Sequence, residues 1–171
     1  MLFNSKYDIF MKEITLDHID IKLLELLQTD ASMSNQAMAE RVHISPPTCL
    51  RRVKTLVESG LIERQIAILN TDKLAAIQGY GLTALVEITL DRQDAEHLEM
   101  FEARVIQDSA VQQCYRVSPG PDFCLVVYCA DMPAYLALAN RLFTQDANVR
   151  NVKAFFSTKR AKFELKIDLK A

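Results

Sequence analysis

The hydrophobic pattern of the chain changes character near residue 70. Between Leu16 and Gly60 apolar residues recur at the three- and four-residue spacing of amphipathic helices, whereas beyond residue 82 most segments alternate with a period of two. Such a change of period indicates two domains. The pattern divides the chain into an N-terminal extension (1–14), a helical domain with a linker strand (15–69), a connection (70–81) and a second domain (82–171).

Three short helices are predicted in the first domain. Asp17 is a suitable N-cap for a helix that ends near Thr29, and Ser34 is a suitable N-cap for a second helix that ends near Val42. Because the connections are so brief, the second and third helices can form a helix-turn-helix with its turn at 42–45.

The third helix carries the clearest start and stop signals. Ser45 can cap it, Pro46 and Pro47 stand in its first turn, where a missing N–H costs nothing, and Gly60 supplies a left-handed stop. The segment after it, LIERQIAIL (61–69), predicts a short strand suited to a wing or linker ribbon. The buried stripe is predicted to consist of the apolar residues at helical spacing, Leu50, Val53 and Val57.

Basic residues concentrate around the same helix. From Arg41 to Val57 there are four basic residues and no acidic one, although the whole chain has a formal net charge of −2. DNA binding needs a basic face rather than a basic chain, and Arg and hydroxyl side chains on a recognition helix can reach phosphates and base edges. A solvated helix face is the alternative, but the helix-turn-helix context favours DNA. The candidate DNA-binding residues are Arg41, Ser45, Pro47, Thr48, Arg51, Arg52, Lys54 and Thr55.

The second domain is predicted to follow the order βαββαβ, an α+β, ferredoxin-like arrangement in which an antiparallel sheet carries both helices on one face. The other face needs cover, and dimerisation through the sheet is the economical solution. The final segment, FELKIDLK (163–170), alternates apolar and charged residues and predicts an additional strand that extends the sheet or crosses to a partner subunit. The predicted elements are a strand to Leu90, a helix over 94–106, strands over 111–117 and 123–129, a helix over 132–144 and a strand over 149–156.

Composition gives little support to an enzyme or a metalloprotein. The chain has 171 residues, half of them hydrophobic, which is enough for a core without disulfides or a structural metal. The four cysteines lack zinc-ligand spacing, and Cys49 has no neighbouring general base, so free packing thiols are expected. No long apolar span or signal-peptide pattern occurs, which makes the cytoplasm the expected compartment. No catalytic residue, cofactor or metal site is predicted.

Several motifs together resemble one family of bacterial regulators. The segment LDHIDIKLLELLQTDASMSNQAMAERVHISPPTCLRRVKTLVESGLIERQIAILN (16–70) strongly resembles the N-terminal part of the leucine-responsive and asparagine-responsive regulators, the Lrp/AsnC family. The motifs VEITL (86–90), QQCYRVSPGPDF (112–123) and DMPAYLAL (131–138) match the effector-sensing half of that family in order. The resemblance covers the chain from about Leu16 to Leu169.

The resemblance implies a transcription factor that binds double-stranded DNA, forms dimers that assemble into octamers, and responds to a small amino acid held between dimers. The family's Gly-x-x-Asp turn corresponds to 119–122, with Pro119 where glycine is usual and Asp122 in register. Asp122 would accept from the ligand ammonium, and Ser118 and the Gly120 backbone would donate to its carboxylate. Alternatively, Asp122 only closes a turn. The implied effector-binding residues are Ser118, Gly120, Pro121, Asp122, Val149, Asn151 and Val152, the last three being equally compatible with ordinary strand residues.

The sequence therefore predicts a sequence-specific DNA-binding transcriptional regulator modulated by leucine or another apolar amino acid. One alternative is an enzyme similar to the sirohaem decarboxylases, which resemble this architecture. Such an enzyme would need basic and histidine residues around a tetrapyrrole cavity, and His97 is the only histidine in the second half of the chain. The other alternative is an amino-acid sensor that does not bind DNA, which the basic third helix disfavours.

Overall fold

The computed structural model describes residues 15–169, apart from the side chain of Asp72. The predicted N-terminal extension (1–14) lies outside these residues. The chain forms two compact units. The helical unit contains the described residues up to Ala67 together with those from Lys162 on, and the sheet unit is Ile68–Ala161. This division departs from the predicted boundaries, because the last segment of the chain groups with the helical unit.

Three helices build the helical unit at the predicted positions: α1 (His18–Thr29), α2 (Asn35–Val42) and α3 (Pro46–Glu58). The Asp17 carboxylate caps α1 by accepting from the backbone N–H groups of Ile19 and Asp20, and the Asp20 carboxylate accepts from the Asp17 N–H in return. Ser34 caps α2 through the N–H of Ala37. The helices enclose a small core of Leu23, Leu24, Met38, Ala39, Val42, Cys49 and Leu56.

The buried face of α3 is not the predicted one but is rotated around the helix axis from it. Cys49 and Leu56 are buried, whereas Leu50 is 60% exposed and Val57 is 48% exposed. Val53 packs against the core as predicted. The sequence pattern favoured the larger apolar side chains, but the small thiol of Cys49 occupies the core position. The Ser45 hydroxyl also makes no backbone cap and instead hydrogen-bonds to the Thr48 hydroxyl at 2.8 Å.

The prediction of a strand over 61–69 is wrong for the single chain, because these residues form no strand. The connection over 70–81, for which no element was predicted, contains a helix, α4 (Thr71–Gln78). A strand requires a neighbouring strand for its backbone hydrogen bonds, and 61–69 has none among the described residues of the single chain. The Asn70 side chain caps α4 by accepting from the Lys73 N–H. Gly60 adopts the predicted left-handed conformation, with φ of 77°.

The sheet unit has the predicted ferredoxin-like topology. An antiparallel sheet of four strands carries helices on one face only. Side chains of alternate strand residues form the core with these helices, including the rings of Phe101 and Phe123 at 4.8 Å between centroids. The elements are β1 (Leu82–Leu90), α5 (Ala95–Val105), β2 (Val111–Arg116), β3 (Phe123–Cys129), α6 (Met132–Ala139) continued by a π-helical turn (Asn140–Thr144), and β4 (Val149–Phe156). In the sheet the strands lie in the order β2-β3-β1-β4.

The C-terminal segment does not extend the sheet of its own chain, which was one of the two predicted arrangements. The other, a strand that crosses to a partner subunit, stays a prediction. No strand is formed over 157–169, and the segment from Lys162 on lies in the helical unit. The Gln28 side chain of α1 binds its backbone twice, donating to the Ile167 carbonyl at 3.2 Å and accepting from the Ile167 N–H at 2.8 Å. Leu169 packs against the helical core. The extended segment is thus bound by α1 rather than by a neighbouring strand.

We expect Leu169→Ala to destabilise the helical unit by about 1 kcal/mol, because it removes a partly buried apolar contact with the core. Native-state hydrogen exchange of the Leu23 and Leu24 amides measures this unit separately from the sheet unit. Leu165→Ala is the matched control, since Leu165 is 55% exposed. Equal protection in both variants would contradict the docking of the segment.

Candidate DNA interface and effector turn

A tight turn fixes α3 against α2. His43 ends α2 with a left-handed backbone, φ of 56°, and the Ile44 N–H returns to the Ala39 carbonyl at 3.0 Å. The Asn35 side-chain amide donates to the Pro46 carbonyl at 2.8 Å, which ties the start of α2 to the start of α3. These bonds produce the helix-turn-helix that the sequence predicts.

The outward face of α3 is polar and basic. Burial of Cys49 and Leu56 leaves Pro47, Arg51, Lys54 and Thr55 on the opposite side, and all four are exposed. The remaining candidate DNA-binding residues lie beside this face: Arg41 and Ser45 are exposed, and Thr48 and Arg52 are half-buried.

The four basic candidates differ in their ionic partners. Arg51 forms no ion pair with any residue in the described part of the chain, whereas the Lys54 Nζ lies 3.6 Å from a Glu58 carboxylate oxygen across an exposed helix surface. Arg41 lies near Asp30, whose pKa is lowered by hydrogen bonds from Ser32 and by the Arg41 charge. Arg51 is therefore the cation most available for an external anion.

Arg52 faces α1 instead of solvent. Its Nη1 donates to Asp17 Oδ2 and to Asp20 Oδ1, each at 2.8 Å, and the Arg52 side chain is only 24% exposed. The sequence pattern placed Arg52 on the outward face of α3, because the apolar residues at helical spacing were expected to point inward. No local signal along the chain indicates that Arg52 pairs with the distant Asp17.

Cys49 has the environment of a packing residue. It is fully buried, and burial raises the pKa of its thiol, which opposes thiolate formation. All four cysteines are free thiols, as predicted. Across residues 15–169 no group of three or more His, Cys, Asp or Glu side chains could hold a metal ion, and no helix is long and apolar enough to cross a membrane.

The turn at 118–122 is fixed to the end of β1 by Asp122. The Asp122 N–H donates to the Ile88 carbonyl at 2.8 Å, and Asp122 Oδ2 accepts from the Leu90 N–H at 2.7 Å and from Gln93 Nε2 at 3.2 Å. Asp122 thus has a structural role in the turn, and sequence reasoning missed the contacts of Leu90 and Gln93 with it. Ser118 and Gly120 are exposed, and Pro121 is half-buried.

The other effector candidates lie across β1 from this turn. Val149 and Val152 pair with Leu90 and Ile88, whereas Asn151 pairs with Thr89. Because β1 separates β3 from β4, the turn and these residues stand about 10 Å apart, two strand spacings. Within one chain the structure does not bring the two sets of candidates together.

A separate cavity of about 630 Å³ opens beside α5. Phe101 lies in its wall, Arg104 forms an ion pair with Asp146 there, and the His97 ring lies 2.8 Å from an Asp94 carboxylate oxygen. The sequence pattern did not predict this cavity, because its lining comes from the loop after β1, one face of α5 and the loop before β4.

Comparison with known proteins agrees with this architecture. A winged helix-turn-helix DNA-binding model matches residues 16–63, and a model of the Lrp/AsnC ligand-binding domain matches residues 83–167. A leucine-responsive regulatory protein of Rhizobium meliloti is 33% identical over 156 residues, which cover 91% of this chain and 97% of that protein. The chain belongs to the Lrp/AsnC family.

Solved structures of Lrp/AsnC-type regulators superpose on the chain closely. An AsnC family transcriptional regulator from Agrobacterium tumefaciens and a Neisseria meningitidis regulator in complex with L-methionine each give a TM-score of 0.79 at 28% identity. Each alignment covers 90% of this chain and 97% of the other. The chain is thus an Lrp/AsnC-type DNA-binding transcriptional regulator with a ligand-binding domain.

We expect Asp122→Ala to loosen the end of β1, because the Leu90 N–H then has no charged acceptor. Hydrogen exchange of the Leu90 amide should accelerate by about tenfold or more, as for removal of a hydrogen bond to a charged group. Asp122→Asn keeps an acceptor oxygen and should preserve most of the protection. Unchanged exchange in the alanine variant would show that the turn is held without this carboxylate.

Proposed function

We propose that the chain recognises a specific DNA sequence through α3 and that a small apolar amino acid, bound at the 118–122 turn, modulates this recognition. The observation that carries the proposal is the exposed basic face of α3 within a helix-turn-helix. A DNA-binding regulator acts where the DNA is, which favours the cytoplasm.

On the DNA side, Arg51 is assigned the central phosphate or base contact. It is exposed and without an ion pair in residues 15–169, so its charge is not already compensated. Arg41 and Lys54 flank it with further positive charge. Short side chains at and near the start of α3, together with Thr55 farther along its exposed face, suit base edges in a major groove, where methyl and hydroxyl groups can approach closely. Those near the start are Ser45, Pro47 and Thr48.

A second copy of the chain is assigned to the open face of the sheet. Large side chains there lack cover: Leu85 is 51% exposed, Phe155 is 53% exposed and Tyr128 is 39% exposed. Glu87 and Lys153 pair in register on the same face and give it complementary charges. A dimer formed through this face would present two copies of α3, and further association into an octamer is proposed on family resemblance.

The effector is assigned to the turn of one chain and β4 of another. The N–H groups of Ser118 and Gly120 donate no backbone hydrogen bond to any described residue, so they are available for a carboxylate. Asp122 keeps its Oδ1 without a donor in the same residues, which leaves an acceptor for an ammonium group. Since β4 of the same chain stands across β1, Val149, Asn151 and Val152 would have to come from a neighbouring copy.

An apolar amino acid is the favoured ligand. The names of relatives support this choice, since one is a leucine-responsive regulator and another was solved with L-methionine. Valines in the proposed second wall would contact an aliphatic side chain. Leucine is therefore proposed first and methionine second.

Arg51→Gln should weaken binding to a duplex that the wild-type protein selects from random sequences. The log–log slope of affinity against salt should become less steep by about 0.9 for each phosphate that the variant no longer neutralises. Fluorescence anisotropy between low and moderate salt measures both quantities. Arg150→Gln is the matched control, because Arg150 is exposed in the sheet unit and the charge change is identical. Equal affinity for the Arg51 variant and wild type would remove Arg51 from the interface.

A thermal-shift screen of the twenty amino acids should identify the effector. A ligand that binds only the folded state stabilises it by about 2.7 kcal/mol at a concentration about 100 times its Kd. We expect leucine or methionine to raise the melting temperature of the wild-type protein, and Asp122→Asn to reduce that shift. A shift of equal size in the Asp122 variant would move the site elsewhere, and no shift with any amino acid would contradict the proposed ligand class.

A further inference from the structure

Two neighbouring arginines of α3 occupy opposite electrostatic environments. Arg51 is exposed and forms no ion pair in the described part of the chain, whereas Arg52 is drawn toward the N-terminus of α1. The Nη1 atom of Arg52 carries two hydrogens, and each is donated to a different carboxylate at 2.8 Å, one of Asp17 and one of Asp20. The two carboxylates come from the residues that open α1.

The carboxylate oxygens divide their hydrogen bonds between α1 and Arg52. Asp17 Oδ1 caps α1, while Asp17 Oδ2 accepts from Arg52. Asp20 Oδ2 accepts from the Asp17 backbone N–H, while Asp20 Oδ1 accepts from Arg52. One guanidinium group therefore joins α3 to both halves of the α1 capping box, so the direction of α1 at its start and the rotation of α3 are coupled.

The charge balance of this cluster opposes a phosphate contact. One positive guanidinium lies between two negative carboxylates, so the cluster has a net charge of −1 and repels a DNA phosphate. The Asp20 N–H and then the Arg52 guanidinium hold the pKa of Asp17 below its usual value despite some desolvation, and Asp20 and Asp17 raise the pKa of Arg52. The Asp17 and Arg52 charges therefore persist at neutral pH.

Burial supports the same conclusion. The Asp20 side chain is 15% exposed and that of Arg52 is 24% exposed, and the Nε of Arg52 is buried without a hydrogen-bond partner in residues 15–169. Both hydrogens of Nη1 are already donated to carboxylates. If the guanidinium swung away from α1 toward a phosphate, it would break these two charged hydrogen bonds and leave the mostly buried Asp20 carboxylate without its cation.

We propose that Arg52 is a positioning residue that sets the rotation of the recognition helix α3 against the start of α1, and that it does not contact DNA. This role replaces the DNA-binding role predicted for Arg52 from the sequence, and it rests on the proposed DNA recognition by α3. Base-edge contacts depend on the direction of short side chains, so a small rotation of α3 weakens sequence-specific binding.

Arg52→Gln, Arg51→Gln and wild type are compared on the selected duplex and on a duplex of random sequence. Arg52→Gln should lower affinity for the selected duplex by about tenfold, the equivalent of about 1.4 kcal/mol, with an unchanged salt slope. Affinity for the random duplex should stay near that of wild type. Arg51→Gln should instead weaken both complexes and flatten the salt slope. Circular dichroism at the assay temperature gives the folded fraction by which each affinity is corrected.

A second variant distinguishes a positioning role from simple electrostatics, because the two predict opposite changes in DNA affinity. Asp17→Asn with Asp20→Asn keeps side-chain oxygens for the cap, because Asn is a good N-cap residue, but removes two negative charges near the DNA-binding face. Electrostatics alone would strengthen DNA binding. We expect weaker binding to the selected duplex, and no further weakening when Arg52→Gln is added, because both changes break the same cluster. Arg52→Lys, which keeps a cation, should recover part of the affinity.

Each other outcome overturns the proposal. A salt slope that flattens with Arg52→Gln would show a phosphate contact, and an unchanged affinity of the folded Arg52 variant would reduce Arg52 to a stabilising role. Tighter binding by the double aspartate variant would show that Arg52 acts on DNA by charge. If the wild-type protein binds neither duplex, the proposed DNA recognition by α3 is itself wrong. This outcome differs from a failure of the Arg52 proposal alone, in which the wild-type protein still binds.

Discussion

The helical unit depends on one constraint: α3 must be held firmly while most of its surface remains exposed. Only Cys49 and Leu56 of this helix are buried, so apolar packing alone supplies little orientation. Directional polar contacts supply the rest. The Asn35 amide holds the first turn of α3 and the Asp17 and Asp20 carboxylates hold its middle, because hydrogen bonds fix angles as well as distances, which apolar contacts do not.

The sheet unit has the opposite requirement, the burial of an exposed apolar surface, since its helices cover only one face of the sheet. Alternate residues of β1, such as Val86 and Ile88, are fully buried beneath the helices, while Leu85 stays exposed on the other face. Pairing with a second copy would cover that face. The same sheet separates the Asp122 turn from β4, so the arrangement that favours association between chains also divides the proposed effector residues between them.

Local signals in the sequence were sufficient for most of the fold. Caps such as Asp17 and Ser34 fixed helix starts, and period-two alternation fixed β1 and its buried face, because both depend on neighbours along the chain. Features that depend on distant partners were missed. The alternation of 163–169 was compatible with a strand, but Gln28 binds its backbone from 139 residues away. The ion pairs of Arg52 were missed for the same reason, since its partners lie 35 and 32 positions earlier.

The number of basic residues in the sequence therefore overstates the positive charge of the DNA-binding face. Four basic residues without an acid between Arg41 and Val57 suggest a strongly cationic helix, yet the folded unit places Asp17 and Asp20 against Arg52 and Glu58 beside Lys54. Arg51 remains as the uncompensated cation of α3 in the described structure. A recognition helix with a single such group derives its specificity from how accurately it is held rather than from total charge, because phosphate attraction alone carries no sequence information.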